Sequence, residues 1–132
     1  SPSWIFDTTP GELFVIRSAG NTAFDAAIAS IEYSVSILQT PLVMVMGHSG
    51  CGAVSTAMGN SALTPSLERL ITPIRSQIAD SPDLTAAVRS NALGTATTLR
   101  DNSPLLREAE AKGSLKLVVS YFDLQTGAVT LI

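Results

Sequence analysis

His48 and Cys51 are the only histidine and the only cysteine in the chain. They fall three residues apart in the run Gly47-His48-Ser49-Gly50-Cys51-Gly52. An imidazole nitrogen and a thiolate sulfur are the donors that zinc and similar borderline metals prefer. Gly47, Gly50 and Gly52 let the backbone turn sharply and keep side chains clear of a bound ion or substrate. Cys51 stands where a helix is expected to begin, a place where unpaired N–H groups and the helix dipole favour an anionic sulfur. A closed zinc site takes four ligands and a catalytic one takes three from the protein. The chain offers two of the usual kind, so any others must be carboxylates or come from another chain.

Other chemistries fit the loop less well. Gly47-His48-Ser49-Gly50-Cys51 begins like the Gly-x-Ser-x-Gly nucleophile elbow and follows a strand as that motif demands. Its fifth residue is cysteine, however, and the only histidine adjoins the serine, which leaves no separate general base. Cys51 as a thiol nucleophile has only the helix N-terminus in its favour. The plain structural reading is a small buried hydrophobe.

The elements that must hold this loop follow from periodicity and punctuation. Residues 2–7 suit a short helix, with Pro2 in its first turn. Pro10-Gly11 marks a turn, and Glu12 to Arg17 reads as a mostly apolar strand broken by Gly20-Asn21. Phe24, Ala27, Ile28, Ile31, Val35 and Leu38 build one apolar stripe on a helix over 23–39. Leu42 to Met46 is a continuous apolar run after Pro41, the pattern of a strand buried on both faces. Helices are expected over 51–58, 65–79, 84–101 and 104–112, the last closed by Gly113. Residues 115–122 and 128–132 read as strands joined by a turn at 123–127, a hairpin. This order predicts an α/β fold, an open and mostly parallel sheet with flanking helices and a C-terminal antiparallel strand, over a single domain, 1–132. In such sheets the ligand site lies off the carboxyl ends of the strands, where loop 47–52 sits.

Composition narrows the function classes. Of the 132 residues, 45% are hydrophobic and 14% charged, enough for a core and too little charge for a disordered tail. The net charge is −3, and Lys and Arg are scattered, so no basic stripe suggests nucleic acid or an anionic membrane surface. No apolar run approaches the roughly 20 residues of a membrane span. One cysteine excludes a disulfide within the chain and suits a reducing compartment, and no leader is visible, so the expected location is cytoplasmic. The opening Ser1-Pro2-Ser3-Trp4-Ile5-Phe6 reads like the middle of a domain.

Gly47-His48-Ser49-Gly50-Cys51-Gly52-Ala53 resembles the Gly-His-x-x-Cys-Gly signature of the β-class carbonic anhydrases. Phe6-Asp7-x-x-Pro10-Gly11 through Arg17-Ser18-Ala19-Gly20-Asn21 is similar to that family's second block, and Ser30-Ile31-Glu32-Tyr33-Ser34-Val35 to the helix that follows. Gly113-x-Leu115-Lys116-Leu117-Val118 and Tyr121-x-Asp123-x-x-Thr126-Gly127-x-Val129 resemble its final strands. Four linked blocks in the right order are far more specific than the His-x-x-Cys pair alone.

The resemblance implies zinc as cofactor, His48 and Cys51 as two of its ligands, and reversible hydration of carbon dioxide to bicarbonate by a zinc-activated water. It implies that Ser49, Gly50 and Gly52 present hydroxyl or N–H groups to the reacting oxygen. Arg17 is a candidate bicarbonate contact, although an ion-pair role is favoured. Homodimers or larger assemblies are expected, with no nucleic acid or membrane partner. The family's remaining ligands come from a Cys-x-Asp-Ser-Arg motif on a central strand, expected just before Ser1. This sequence contains no such motif. Without that strand, 12–17 and 42–46 should have unpaired edges and exposed apolar faces. Two rivals are a degenerate relative kept as a binding or assembly module, and a zinc hydrolase of carbon disulfide or carbonyl sulfide. Met44, Val45 and Met46 are expected in the core, Trp4 and Tyr33 to pack, Asn21 to bond backbone, and Asp80, Asp83, Glu108 and Glu110 to lie at helix ends or in solvent.

Overall fold

The computed structural model describes residues 1–132. Three of the helices begin at a side chain that satisfies one of their free N–H groups. Helix α1 (Pro2–Phe6) has proline in its first turn. A 3-10 turn at Ala19–Asn21 leads to α2 (Asp25–Ser36), and strand β1 spans Leu42–His48. Helix α3 (Gly52–Met58) starts directly after Cys51. Helix α4 (Pro65–Ile78) is capped by the Thr64 hydroxyl, which accepts the Leu67 N–H at 3.3 Å. Helix α5 (Leu84–Asn102) is capped by Asp83, whose carboxylate accepts the Ala86 N–H at 2.8 Å. Helix α6 (Pro104–Ala111) is capped by Ser103, and the left-handed Gly113 (φ +76°) ends it as expected. Strands β2 (Lys116–Phe122) and β3 (Val129–Leu131) close the chain.

The sheet order is β1-β2-β3. Strand β1 runs parallel to β2, from Leu42 opposite Lys116 to His48 opposite Phe122, and β2 pairs with β3 antiparallel. The α/β class, the parallel pairing and the C-terminal hairpin are therefore as expected. Helix α5 covers β1 and β2 with a buried face of Ala87, Val88, Asn91, Ala92, Thr95, Ala96 and Leu99. The spacing of three and four residues gives one stripe, and its alanines let helix and sheet approach closely. Val45, Leu117, Val119 and Tyr121 meet that stripe from the sheet. Arg89 lies 4.9 Å from the Tyr121 ring centroid, a cation–π contact.

Several expectations fail for one physical reason. Glu12–Arg17 is extended but is not a strand. The backbone of Leu13 to Arg17 makes no hydrogen bond, and the side chains of Leu13, Phe14, Val15 and Ile16 are exposed. A strand exists only through a ladder partner, and none lies beside this segment. The outer edge of β1 is open, and the unpaired edges and exposed apolar side chains expected at 12–17 and 42–46 are present. The second face of β1 is not buried either: Val45 is in the core, whereas Met44 and Met46 are half-buried. Trp4, 89% exposed, and the exposed Tyr33 do not pack. Helix α1 buries no residue at all.

Candidate functional site

His48 is the last residue of β1, and the loop behind it is held by its neighbours rather than by its own turn chemistry alone. The Ser49 N–H donates to the Phe122 carbonyl at 2.9 Å, which continues the β1–β2 ladder past the strand end. The Ser49 Oγ accepts the Leu124 N–H at 2.8 Å. The turn that carries Leu124 is itself braced: the Gly127 N–H donates to the Asp123 carbonyl at 2.8 Å, and Asp123 Oδ1 accepts the Gln125 N–H at 2.8 Å. The loop is thus tied to the β2–β3 connection on two sides.

His48 Nδ1 lies 2.9 Å from the Ser49 carbonyl oxygen. A carbonyl only accepts, so Nδ1 is the donor in this contact, and the tautomer that matches it has its lone pair on Nε2. That is the arrangement of a metal-ligating imidazole. Cys51 is a free thiol, 4% exposed, at the N-cap of α3, where the sequence places it. It packs in a cluster with Val54, Ala57, Ile71 and Ile74.

The glycines divide into two kinds. A Cβ at Gly50 (φ +67°) or Gly52 would meet nothing within 4 Å, so the outward side of the loop is open. A Cβ at Gly47 would stand 2.8 Å from Val88 Cγ1 and 3.3 Å from the Val88 carbonyl oxygen. Gly47 is therefore glycine because α5 presses on the end of β1.

Arg17 is exposed and enters neither of the two salt bridges, so the favoured ion-pair role is not observed. Asn21 does not bond backbone through its side chain; its Nδ2 donates to Thr95 Oγ1 at 3.1 Å, because the turn at 19–21 lies against α5. Glu110 is no solvated charge. It holds Arg100 in a two-bond fork, both contacts 2.9 Å, and the guanidinium lowers the Glu110 pKa below its usual 4.5. Glu12 is lowered by hydrogen bonds from the Thr9 backbone and side chain. The residue that sequence reasoning missed is Asn91, fully buried in the α5 stripe. Its signal was present as one amide among alanines and aliphatics.

As a zinc site the donor chemistry is right and the number is short. No three His, Cys, Asp or Glu side chains gather in this chain. His48 and Cys51 alone do not complete a zinc site, and no catalytic step through a metal follows from this chain by itself. No helix is long and apolar enough to cross a membrane.

Comparison with known proteins places this arrangement in a family. The family profile described as "Carbonic anhydrase" matches residues 1–129. Carbonic anhydrase 2 of Mycobacterium tuberculosis (strain CDC 1551 / Oshkosh) is 48% identical over 54 residues, 41% of this chain and 26% of that protein. A carbonic anhydrase of Pseudomonas aeruginosa is 29% identical over 145 aligned positions, 97% of this chain and 66% of that protein. The chain therefore aligns with about a quarter of the first relative's length and just under two thirds of the second's. Among solved structures, one from a study of two tetrameric β-carbonic anhydrases of Sordaria macrospora superimposes with a TM-score of 0.85 at 23% identity, covering 100% of this chain and 74% of that one. The Coccomyxa β-carbonic anhydrase in complex with acetazolamide gives 0.85 at 24% identity, covering 100% and 66%. With its sheet order, its open-sided His48–Cys51 loop at the end of β1 and a profile match along almost its whole length, the chain belongs to the β-carbonic anhydrase family.

Proposed function

We propose that this chain is the carbon-dioxide-hydrating core of a zinc enzyme, one domain over 1–132, converting carbon dioxide and water to bicarbonate and a proton in the cytoplasm. The observation that carries this reading is the His48–Ser49 contact, which engages Nδ1 and leaves Nε2 as the ring nitrogen free to ligate, three residues before the single free cysteine at the end of a sheet strand. His48 Nε2 and Cys51 Sγ would be two of the protein ligands. The others would come from polypeptide outside residues 1–132, either more of the same protein or another chain. Gly50 and Gly52 would leave room for substrate and present backbone N–H groups, and Ser49 would hold the loop while its hydroxyl hydrogen stays free to donate. Arg17, unpaired and exposed, would be available to bicarbonate. The tetrameric Sordaria relatives and the exposed apolar residues of 13–16 support assembly into a homo-oligomer.

The shortfall of ligands favours a second reading, a family member that keeps the fold as a binding or assembly module without chemistry. Stopped-flow hydration of carbon dioxide, with and without added zinc, decides between them. A zinc-dependent rate well above buffer supports the enzyme. A folded protein with no rate and no tightly held zinc supports the module. Rates on carbon disulfide and carbonyl sulfide in the same assay test the hydrolase variant of the first reading.

A further inference from the structure

We infer that Asn91 is a positioning residue for the His48–Cys51 loop, acting through the Ser18–Thr22 turn; the importance of that loop rests on the proposed function, but the coupling does not. Asn91 is 0% exposed, in an otherwise largely apolar helix face. Its Nδ2 donates to the Gly20 carbonyl at 2.7 Å, while its Oδ1 has no partner. A buried acceptor without a donor costs stability that an aliphatic side chain of similar size would not. The amide is therefore kept for its one donated bond.

That bond closes a circuit around the site. Gly20 is left-handed (φ +65°), and a Cβ there would lie 2.6 Å from Ile74 Cδ1 and 3.2 Å from Ala53 Cβ. The turn is wedged against α4 and against the first turn of α3, two residues from Cys51. On the same α5 face, Val88 and Ala92 flank Asn91 and press on Gly47, next to His48. One turn further along, Thr95 receives the Asn21 side chain. A single rigid helix face thus sets the end of β1 from one side and, through Gly20, the start of α3 from the other. Releasing the Gly20 carbonyl frees the wedge and lets the two ends of the ligand loop move independently.

The chain supplies its own probes, since its one histidine gives one Cε1–H resonance and its one cysteine one alkylation rate. Asn91→Ala and Asn91→Asp, which is isosteric but places an oxygen against the Gly20 carbonyl, are compared with Leu99→Ala. Leu99 is buried in the same helix, two turns further from the loop. Each variant is measured the same number of degrees below its own melting midpoint. Both Asn91 variants are expected to shift the His48 resonance and to speed iodoacetamide alkylation of Cys51 about tenfold, the effect of losing one buried hydrogen bond on a local opening. Leu99→Ala is expected to do neither. Asn91 variants that match Leu99→Ala in both readouts overturn the inference. Should neither Asn91 variant fold, Thr95→Val carries the test: it should move both probes in the same direction by less, and unmoved probes overturn the inference. Failure of zinc-dependent hydration together with moved probes removes the catalytic reading and leaves the coupling standing; hydration with unmoved probes does the reverse.

Discussion

The Ser49 hydroxyl oxygen accepts the backbone N–H of Leu124 at 2.8 Å, from a residue 75 positions further along the chain. With the Ser49 N–H already on the Phe122 carbonyl, this clips the candidate ligand loop to the β2–β3 turn at two points. Ser49→Ala breaks only the second. It should cost about 1 kcal/mol, the net value of one hydrogen bond, in urea denaturation. Ser49→Thr, which keeps the oxygen, should recover most of that loss. Equal losses in both variants would show that the bond contributes nothing.

The ligand pair can be separated from the fold by substitution. His48 is exposed at the end of β1, so His48→Ala should change stability by less than about 0.5 kcal/mol. Cys51 is buried, so Cys51→Ser should be the more destabilising, by about 1–3 kcal/mol, from placing a hydroxyl among apolar neighbours. Both should abolish zinc retention in equilibrium dialysis under conditions where the unsubstituted protein retains it. A variant that keeps the metal would remove that side chain from the ligand set.

Gly47 tolerates no side chain because the contact is with a β-branched residue and a backbone oxygen, neither of which yields cheaply. Gly47→Ala should lose about 1–3 kcal/mol by overpacking and lower the melting temperature. Gly52→Ala, at a site open on all sides and in the first turn of α3, should be neutral or slightly stabilising. Reversal of that order would mean that α5 does not press on the end of β1.

The Arg100–Glu110 fork makes part of the acid stability. Glu110 titrates below 4.5 in the folded protein, so the contribution is fully present above its unfolded pKa and is lost as pH falls through the lower folded value. Arg100 is 39% exposed, so solvent screening holds the gain to under about 1 kcal/mol. Glu110→Gln should therefore be less stable than the parent at pH 7, and the two curves should converge toward pH 3. Parallel curves across that range would show that the pair carries no linked proton.

Leu13, Phe14, Val15 and Ile16 present apolar side chains and an unpaired backbone to solvent, the combination that drives edge-to-edge association. Replacing Phe14 and Ile16 together by lysine should weaken concentration-dependent association in sedimentation velocity while shifting stability by less than about 0.5 kcal/mol. Association that persists unchanged would locate the contact elsewhere.

What the sequence determined by itself was local. Apolar periodicity and the glycine after α6 act within a few residues of backbone, so the helix positions were legible to within a few residues. The apolar run 42–46 and the glycines around His48 likewise announced a strand ending in a tight loop, and the four motif blocks announced the family. What tertiary structure decided was everything that needs a partner. Glu12–Arg17 has strand composition, but a strand requires a neighbour, and sequence alone does not show which edges are filled. Glu110 read as a helix-end or solvated charge, and only the meeting of α5 and α6 gives it Arg100 as a partner. Asn91 was one amide in a small-residue stripe, and only the turn at Gly20, 71 residues away, gives its donor a purpose. The difference is one of range: capping and periodicity act within a turn or two of backbone, whereas strand pairing, ion pairing and buried hydrogen bonds are fixed only when distant segments meet.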